Sequence, residues 1–493
     1  MASVETTYDF IIVGAGSAGC AVADQLAARR AGSIAVVEAG PSDNHWRVKT
    51  PMALSWMMGG ARDWQFKTSP QKHAGGRQIG IPRGKMVGGS GSINSMVWFR
   101  GIASDFDGWG VDGWRWADVE PAFEEIEARI QPDVFGNPHP LTQKLNGLLG
   151  ANDDRPPIPD YESAGVFRYN MRNGRRWSAA DAFLRPHLGK AVTLITGKQI
   201  HKTGLAGQTA KTVQFTDGTS LTANKGIVLS AGSIGSTMIL MNSGIGPKDD
   251  LTETIVDAPL VGANLHDHPG CGLHFEGHGT GYGLTLAQAP IWAMAPLSYM
   301  LARKGPLASP TVEGGMFFNA RGDSAVPDVQ THFIPFLLNH RGPKYRYGQG
   351  YFADVCVCRP KSRGALHKTA DGFEIDFNLL ADPSDLETMV AGAMRLRELL
   401  AEAGTGGTEV HPGAHVADDA LADHIRKSCG TAYHPVGTVA LDGPIDNRCK
   451  VKGVDGLWVA DASVMPNVTS ANTNAPSMMI GYRAGQMIAE DAA

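Results

Sequence analysis

In the stretch TAYHPVGT (431–438), His434 is a side chain suited by type to moving a proton. An imidazole titrates near neutral pH and fits the part of a general base. Pro435 restricts the backbone of the histidine before it, and Gly437 allows a turn beneath the ring. The other groups able to do chemistry read more plainly. His266 and His268 in NLHDHP are expected to brace a junction between domains. Glu313 in TVEGGMFF reads as a surface or hinge carboxylate. The six cysteines (Cys20, Cys271, Cys356, Cys358, Cys429, Cys449) are too few and too scattered for a disulfide framework, so a reducing compartment is the simpler reading. Cys356 and Cys358 would share one face of a strand, but no second ligand cluster accompanies them and no metal site is expected.

A base needs a partner that takes electrons, and a nucleotide fingerprint stands at the other end of the chain. YDFIIVGAGSAGCAVADQLAARR (8–30) reads as a buried strand, a glycine turn and a helix. Gly14, Gly16 and Gly19 form GxGxxG: the first for the tight turn, the second for close approach to a pyrophosphate, the third for helix–strand packing. SIAVVEAG (33–40) supplies a second apolar strand ending in Glu38, placed to bind the hydroxyls of an adenosine ribose. That acid argues against an NADP phosphate but does not separate NAD from FAD.

The bulk numbers set the frame. With 493 residues, the chain should form more than one domain or one large core with a second lobe. A net charge of −5 leaves no electrostatic footprint for nucleic acid. The N-terminus shows no secretory pattern, and the longest apolar stretch, APIWAMAPLSYMLA (289–302), carries two prolines and is too short to span a bilayer. It reads as a buried or cavity-lining segment, with a membrane-surface role as the alternative. A cytoplasmic protein without a membrane span is expected.

RGKMVGGSGSINSMVWFRG (83–101) does not suit a nicotinamide enzyme. Its glycine–serine run offers exposed amides beside a flat cofactor, and Asn94 can hydrogen-bond a ring edge. This stretch resembles the first signature of the glucose–methanol–choline oxidoreductase family. GSIGSTMILMNSGIG (232–246) resembles the second, with Thr237 where the pattern has Pro or Ser. GIVLSAG (226–232), VGANLHDHP (261–269) and GLWVADASVMPNVTSANTNAPSMMIGYRAGQMI (456–488) extend the match from about residue 8 to 488, and TAYHPVGT resembles the family's HPVGT motif.

The resemblance implies an α/β protein: a Rossmann-like FAD-binding domain and a discontinuous α+β substrate domain with a mostly antiparallel sheet flanked by helices. Residues 1–270 would be the FAD part, with variable, lid and substrate-lobe segments in 102–185. Residues 271–425 would be the substrate domain, and 426–493 would return to the FAD domain. Tryptophans in 107–123 would pack helices or form a lid. The cofactor contacts implied are Gly14, Gly16, Ser17, Ala18, Gly19, Glu38, Ala39, Val87, Gly89, Ser90, Asn94, Met96, Ile200, Ala231, Asp461, Ala462, Thr473 and Asn474, the last also the expected cap of the terminal helix. His434 would take the hydroxyl proton while a hydride passes to flavin N5, and Asn472 would orient the hydroxyl. Ile93 stands where some relatives carry a flavin-tethering histidine, so the FAD would be non-covalent. Glu313 falls near a position where choline-oxidising relatives carry a glutamate for the ammonium, which gives cation binding as the alternative for it. A small-molecule alcohol, foremost a primary one oxidised to the aldehyde, and oxygen or another electron acceptor are the expected partners. The alternatives are a lyase or photodecarboxylase on the same fold, and a nicotinamide dehydrogenase. The sequence leaves the oligomeric state open.

Overall fold

The computed structural model describes residues 6–150, 156–339 and 342–492. Its first sheet gathers strands from the start, middle and end of the chain. Thr7–Val13 lies parallel between Ile34–Glu38 and Ser220–Leu229, with Ile11 opposite both Ala35 and Ile227. Val192–Thr196 adds beyond Ile34–Glu38, and Leu457–Val459 pairs in parallel with the end of Ser220–Leu229. Antiparallel Thr209–Phe215 and Ile200–Ala206 follow from the other end of that long strand. The parallel strands are buried on both faces, which is why FIIV and IAVVE are nearly continuous apolar runs. The α/β class expected from the sequence is the one observed.

Ser17–Ala28 leaves this sheet as a helix, and the terminal helix Asn474–Asp491 packs directly on it. The approach is close because glycines face the partner. A Cβ on Gly481 would stand 2.2 Å from the Ala18 carbonyl oxygen, and one on Gly485 2.8 Å from Gln25 Cβ. The terminal helix is capped by Thr473, one residue before the expected Asn474. The side chain of Asn474 is instead taken by Ser17 Oγ, which donates to its Oδ1 at 2.8 Å.

The second sheet is antiparallel, in the order Thr408–His411, Pro269–Glu276, Gly350–Val357, Val329–Ile334, Gly314–Phe318, Ser163–Val166. Helix Pro383–Glu402 covers it with Met389, Ala393, Leu396 and Leu400, a stripe at helical spacing. Gly430–Thr431 pairs with the start of Pro269–Glu276, so the chain enters TAYHPVGT directly from this sheet.

Two expectations are refined. Trp109 and Trp114 in the tryptophan-rich segment are buried, their indole N–H groups donating to the Asn467 and Asn447 carbonyls, so they pack and do not form a lid. Residues Ala289–Ala302 do not form a buried or cavity-lining segment. They form a helix on which only Ala295 and Tyr299 are buried, because one face alone meets the protein. All six cysteines are buried and free.

The Gly481→Ala variant should lose about 1–3 kcal/mol of stability, since the added methyl must force two packed helices apart. A urea titration of the variant beside the unaltered protein checks this, and an unchanged midpoint would contradict it.

Candidate functional site

At the carboxyl ends of the parallel strands lies a cavity of about 390 Å³. Three helix N-termini border it, those of Ser17–Ala28, Gly232–Asn242 and Asn474–Asp491, whose positive potential suits a phosphate. Gly14 has φ +103°, and a Cβ there would lie 2.4 Å from the Ser230 carbonyl oxygen. Gly89 has φ +53°, and its Cβ would lie 2.8 Å from Gly16 Cα. The two glycine loops therefore touch through bare backbone.

Of the cofactor residues expected from the sequence, Gly14, Gly16, Ser17, Ala18, Glu38, Ala39, Gly89, Ser90, Ile200, Ala231, Asp461, Ala462 and Thr473 line this cavity. Gly19 does not; it packs, with a Cβ position 2.0 Å from the Gly14 carbonyl oxygen. Val87 and Met96 are buried outside the lining. Asn94 Oδ1 is occupied, accepting from Arg176 Nη1 at 2.6 Å and Met96 N at 3.0 Å, so it holds its loop. Asn474 Nδ2 is buried with no partner. The Glu38 carboxylate accepts from Ala15 N at 3.0 Å and Gly40 N at 2.8 Å. Burial outweighs these bonds and pushes it up to about 7. Asp461 bridges segments, accepting from Gly232 N at 2.9 Å and Ser463 N at 2.8 Å.

Beyond this cavity, at the seam with the second sheet, stands His434. Its segment is pinned by the pairing of Thr431 with Pro269 and of Val436 with His266. Tyr433, just before it, has φ +67°, a left-handed backbone unusual for a tyrosine. Arg83 Nη1 holds the Tyr433 carbonyl at 2.6 Å, while Arg83 Nε reaches Ser90 Oγ at 3.0 Å. Arginine thus ties the second glycine loop to the histidine segment.

The hydrogen bonds around His434 fix its protons. His268 Nε2 faces the Thr469 carbonyl oxygen at 3.0 Å, which can only accept, so this nitrogen carries the proton. His268 Nδ1 is then bare in the neutral ring and must accept from His434 Nδ1, 3.1 Å away. His434 Nε2 is left with its lone pair, facing Asn472 Nδ2 at 3.2 Å. The Asn472 amide is oriented by Gln330 Nε2, which donates to its Oδ1 at 2.9 Å. His332 Nε2 approaches the same oxygen at 3.4 Å, and His332 Nδ1 faces both Asp354 oxygens at 3.1 Å. Five side chains, Asp354, His332, Asn472, His434 and His268, form one chain of contacts ending at Thr469.

The two rings that flank Asn472 have opposite electrostatics. Burial, then His268, His332 and Arg83, hold the His434 pKa well below its ordinary value. Burial also opposes charge on His332, but the charge and hydrogen bond of Asp354 outweigh it and hold that pKa above the ordinary value. Burial likewise lowers His268 to about 4, consistent with a neutral ring.

Sequence reading brought His434 and Asn472 to one place and missed their neighbours. His268 was expected to brace a junction, yet it touches His434; His266 does brace, accepting from Val468 N at 3.0 Å through Nε2. Gln330 and His332 alternate on a fully buried strand, a signal that was available but unread. Cys356 has ligand-type neighbours after all, with Sγ 3.9 Å from His332 Nδ1, although Asp354 already occupies that nitrogen. Glu313 is neither at the surface nor open to a cation. It is fully buried and accepts from His139 N, Thr142 Oγ1, Tyr282 Oη and Ser309 Oγ at 2.7–3.0 Å.

Family models described as GMC oxidoreductase match residues 8–270 and 360–481. The chain belongs to the GMC oxidoreductase family. It is 34% identical to an oxygen-dependent choline dehydrogenase of Brucella anthropi, over 97% of this chain and 95% of the relative. It is 32% identical to an alcohol dehydrogenase [acceptor] of Pseudomonas putida, over 98% and 95%. Its fold matches formate oxidase with TM-score 0.86 at 23% identity, over 99% of both chains. This GMC protein is an FAD-dependent alcohol oxidoreductase. The residues present fit that cofactor: bare-backbone loops leave room for it, and the unpartnered Asn474 Nδ2 supplies a buried donor.

The Gly89→Ala variant should purify with most of its flavin missing, since the methyl closes the gap to Gly16 and strains a left-handed residue. The ratio of flavin to protein absorbance reads this; full loading would contradict the cradle.

Proposed function

We propose that this enzyme oxidises an uncharged primary alcohol to the aldehyde, with His434 Nε2 taking the hydroxyl proton. The observation that carries this reading is that His434 Nε2, left without a proton of its own, accepts from Asn472 Nδ2 at 3.2 Å. A substrate hydroxyl that displaced this contact would accept from the amide and donate to the imidazole. FAD, held by the cavity residues, would supply the two-electron acceptor for the hydride that leaves the carbinol carbon. His268 keeps His434 in the tautomer that leaves Nε2 free. Asn472 orients the hydroxyl, and His332 with Gln330 holds the amide in register. The cofactor contacts are the cavity-lining residues given above, with Asn474 donating through Nδ2.

Choline oxidation, as named for the Brucella relative, would need a group for the ammonium. Glu313 cannot serve, because four donors already saturate its carboxylate. This favours the uncharged alcohol. The FAD is held without a covalent bond, since Ile93 packs among Val48, Leu54, Met57 and Met86 and offers no nucleophile.

His434→Ala should keep its yellow FAD and lose roughly 10²–10⁴-fold in the rate of anaerobic flavin reduction by alcohol, the usual worth of a positioned base. Asn472→Ala should lose less, because orientation goes and proton transfer stays. Near-normal reduction by His434→Ala would remove the base assignment.

The pH profile follows from the two rings. His434, lowered, stays neutral and competent below its ordinary 6.5, so the acid limb of kcat/KM lies below that pH. His332, raised, keeps its proton above 6.5, so the alkaline limb lies above. Asp267, pushed up to about 7 by burial, donates nothing to this pair and accepts from His434 N at 2.8 Å. Asp354→Asn should move the alkaline limb to lower pH while the acid limb stays. An unmoved alkaline limb would exclude His332 from the profile.

A further inference from the structure

The helix Ala289–Ala302 contains no charged residue, and its outer surface is apolar. Trp292, Ala295 and Tyr299, spaced along one face, turn toward the protein. Tyr299 Oη donates to the Gly174 carbonyl at 3.0 Å, and Trp292 lies tilted against Phe336 with centroids 6.1 Å apart. Leu286, Ile291, Met294, Leu297, Met300 and Leu301 are left exposed, Leu301 at 78%. A surface helix of a water-soluble domain carries polar residues outward; one that is apolar all round has its outer face in another apolar medium.

Charge says which medium. Between Glu276 and Glu313 there is no acidic residue, while Arg303 and Lys304 follow the helix directly. Gly174 abuts Arg303, where an added Cβ would lie 2.7 Å from the arginine Cβ, and this brings exposed Arg175 to the same end. Trp46 and Trp56, 57% and 49% exposed, adjoin through the segment whose Lys49 carbonyl accepts from Tyr299 Oη at 3.2 Å. Apolar side chains, interfacial tryptophans and a basic rim are the composition of a segment that lies in the headgroup region of an anionic bilayer. No helix among the described residues is long and apolar enough to cross a membrane, so the contact is with one leaflet.

We propose that the Ala289–Ala302 helix docks this enzyme on the surface of an anionic phospholipid membrane. The inference does not rest on the catalytic reading above. The FAD-loaded full chain, mixed with phosphatidylglycerol–phosphatidylcholine vesicles and floated on a density gradient, should rise with the lipid. It should rise less with phosphatidylcholine alone, and high salt should weaken binding. Met294→Glu/Leu297→Glu/Met300→Glu should bind at least roughly tenfold more weakly, because three exposed apolar contacts become charges. It should keep its flavin spectrum and its rate on a water-soluble alcohol, which shows that it folds. Arg175→Glu/Lys304→Glu should lose the preference for anionic lipid. Failure of the unaltered protein to float with anionic vesicles overturns the proposal. So does a dimer in sedimentation that the triple variant dissociates without any vesicle binding, since a second copy would then cover the helix.

Discussion

The contact between the first and last helices governs the geometry of everything else. Because residues 481 and 485 lack side chains, Asn474–Asp491 can lie against the Ala18 carbonyl and the Val22–Gln25 turn. This brings Asn474 within a hydrogen bond of Ser17, almost the full chain length away in sequence. Asn472 and Thr473 precede the helix by one or two residues and have little freedom of their own. Their distance from the glycine turn is inherited from the helix packing. The parallel pairing of Leu457–Val459 with Ser220–Leu229 reinforces the placement from the sheet side and sets Asp461 over Gly232.

The antiparallel lobe contributes the other half of the centre. Strand Val329–Ile334 carries Gln330 and His332 on one face, two residues apart, and the neighbouring strand carries Asp354 opposite. The His434 segment is itself an edge extension of this lobe through Gly430–Thr431. Proton donor and acceptor groups from both lobes therefore meet at a seam, and Asn472 is the side chain that touches both rings. Ser233 and Thr438 stitch the seam on the cofactor side: Ser233 Oγ donates to the Pro435 carbonyl at 2.6 Å, and Thr438 Oγ1 to the Ser233 carbonyl at 2.7 Å.

What could be read from the sequence was local. Glycine spacing, buried apolar strands and the residues beside His434 announce themselves within a few positions; the α/β class and dinucleotide binding follow from them, and FAD follows from the family resemblance. What could not be read depends on strand pairing between distant segments. His268 meets His434 only because Pro269 pairs with Thr431. Glu313 is saturated only because donors from positions 139, 142, 282 and 309 converge on it. Composition makes residues 289–302 apolar but does not say which faces find protein. The single face that does, through Ala295 and Tyr299, is a tertiary fact.

The low proton affinity of His434 is compatible with its use as a base, and the reason lies in the order of charges. A proton arriving from a neutral hydroxyl would place an imidazolium near Arg83 and beside a His332 that Asp354 favours as a cation. That arrangement is costly as long as no negative charge forms with it. On the proposed reading, proton loss by the alcohol would create one at the substrate oxygen, and hydride departure would carry the electrons toward the cavity bordered by three helix N-termini. The favourable positions for negative charge are thus fixed before the reaction, while positive charge at His434 is tolerated only together with it. A strongly basic histidine would be protonated in the resting enzyme and useless; a buried, neutral one waits for the oxygen whose proton it can share.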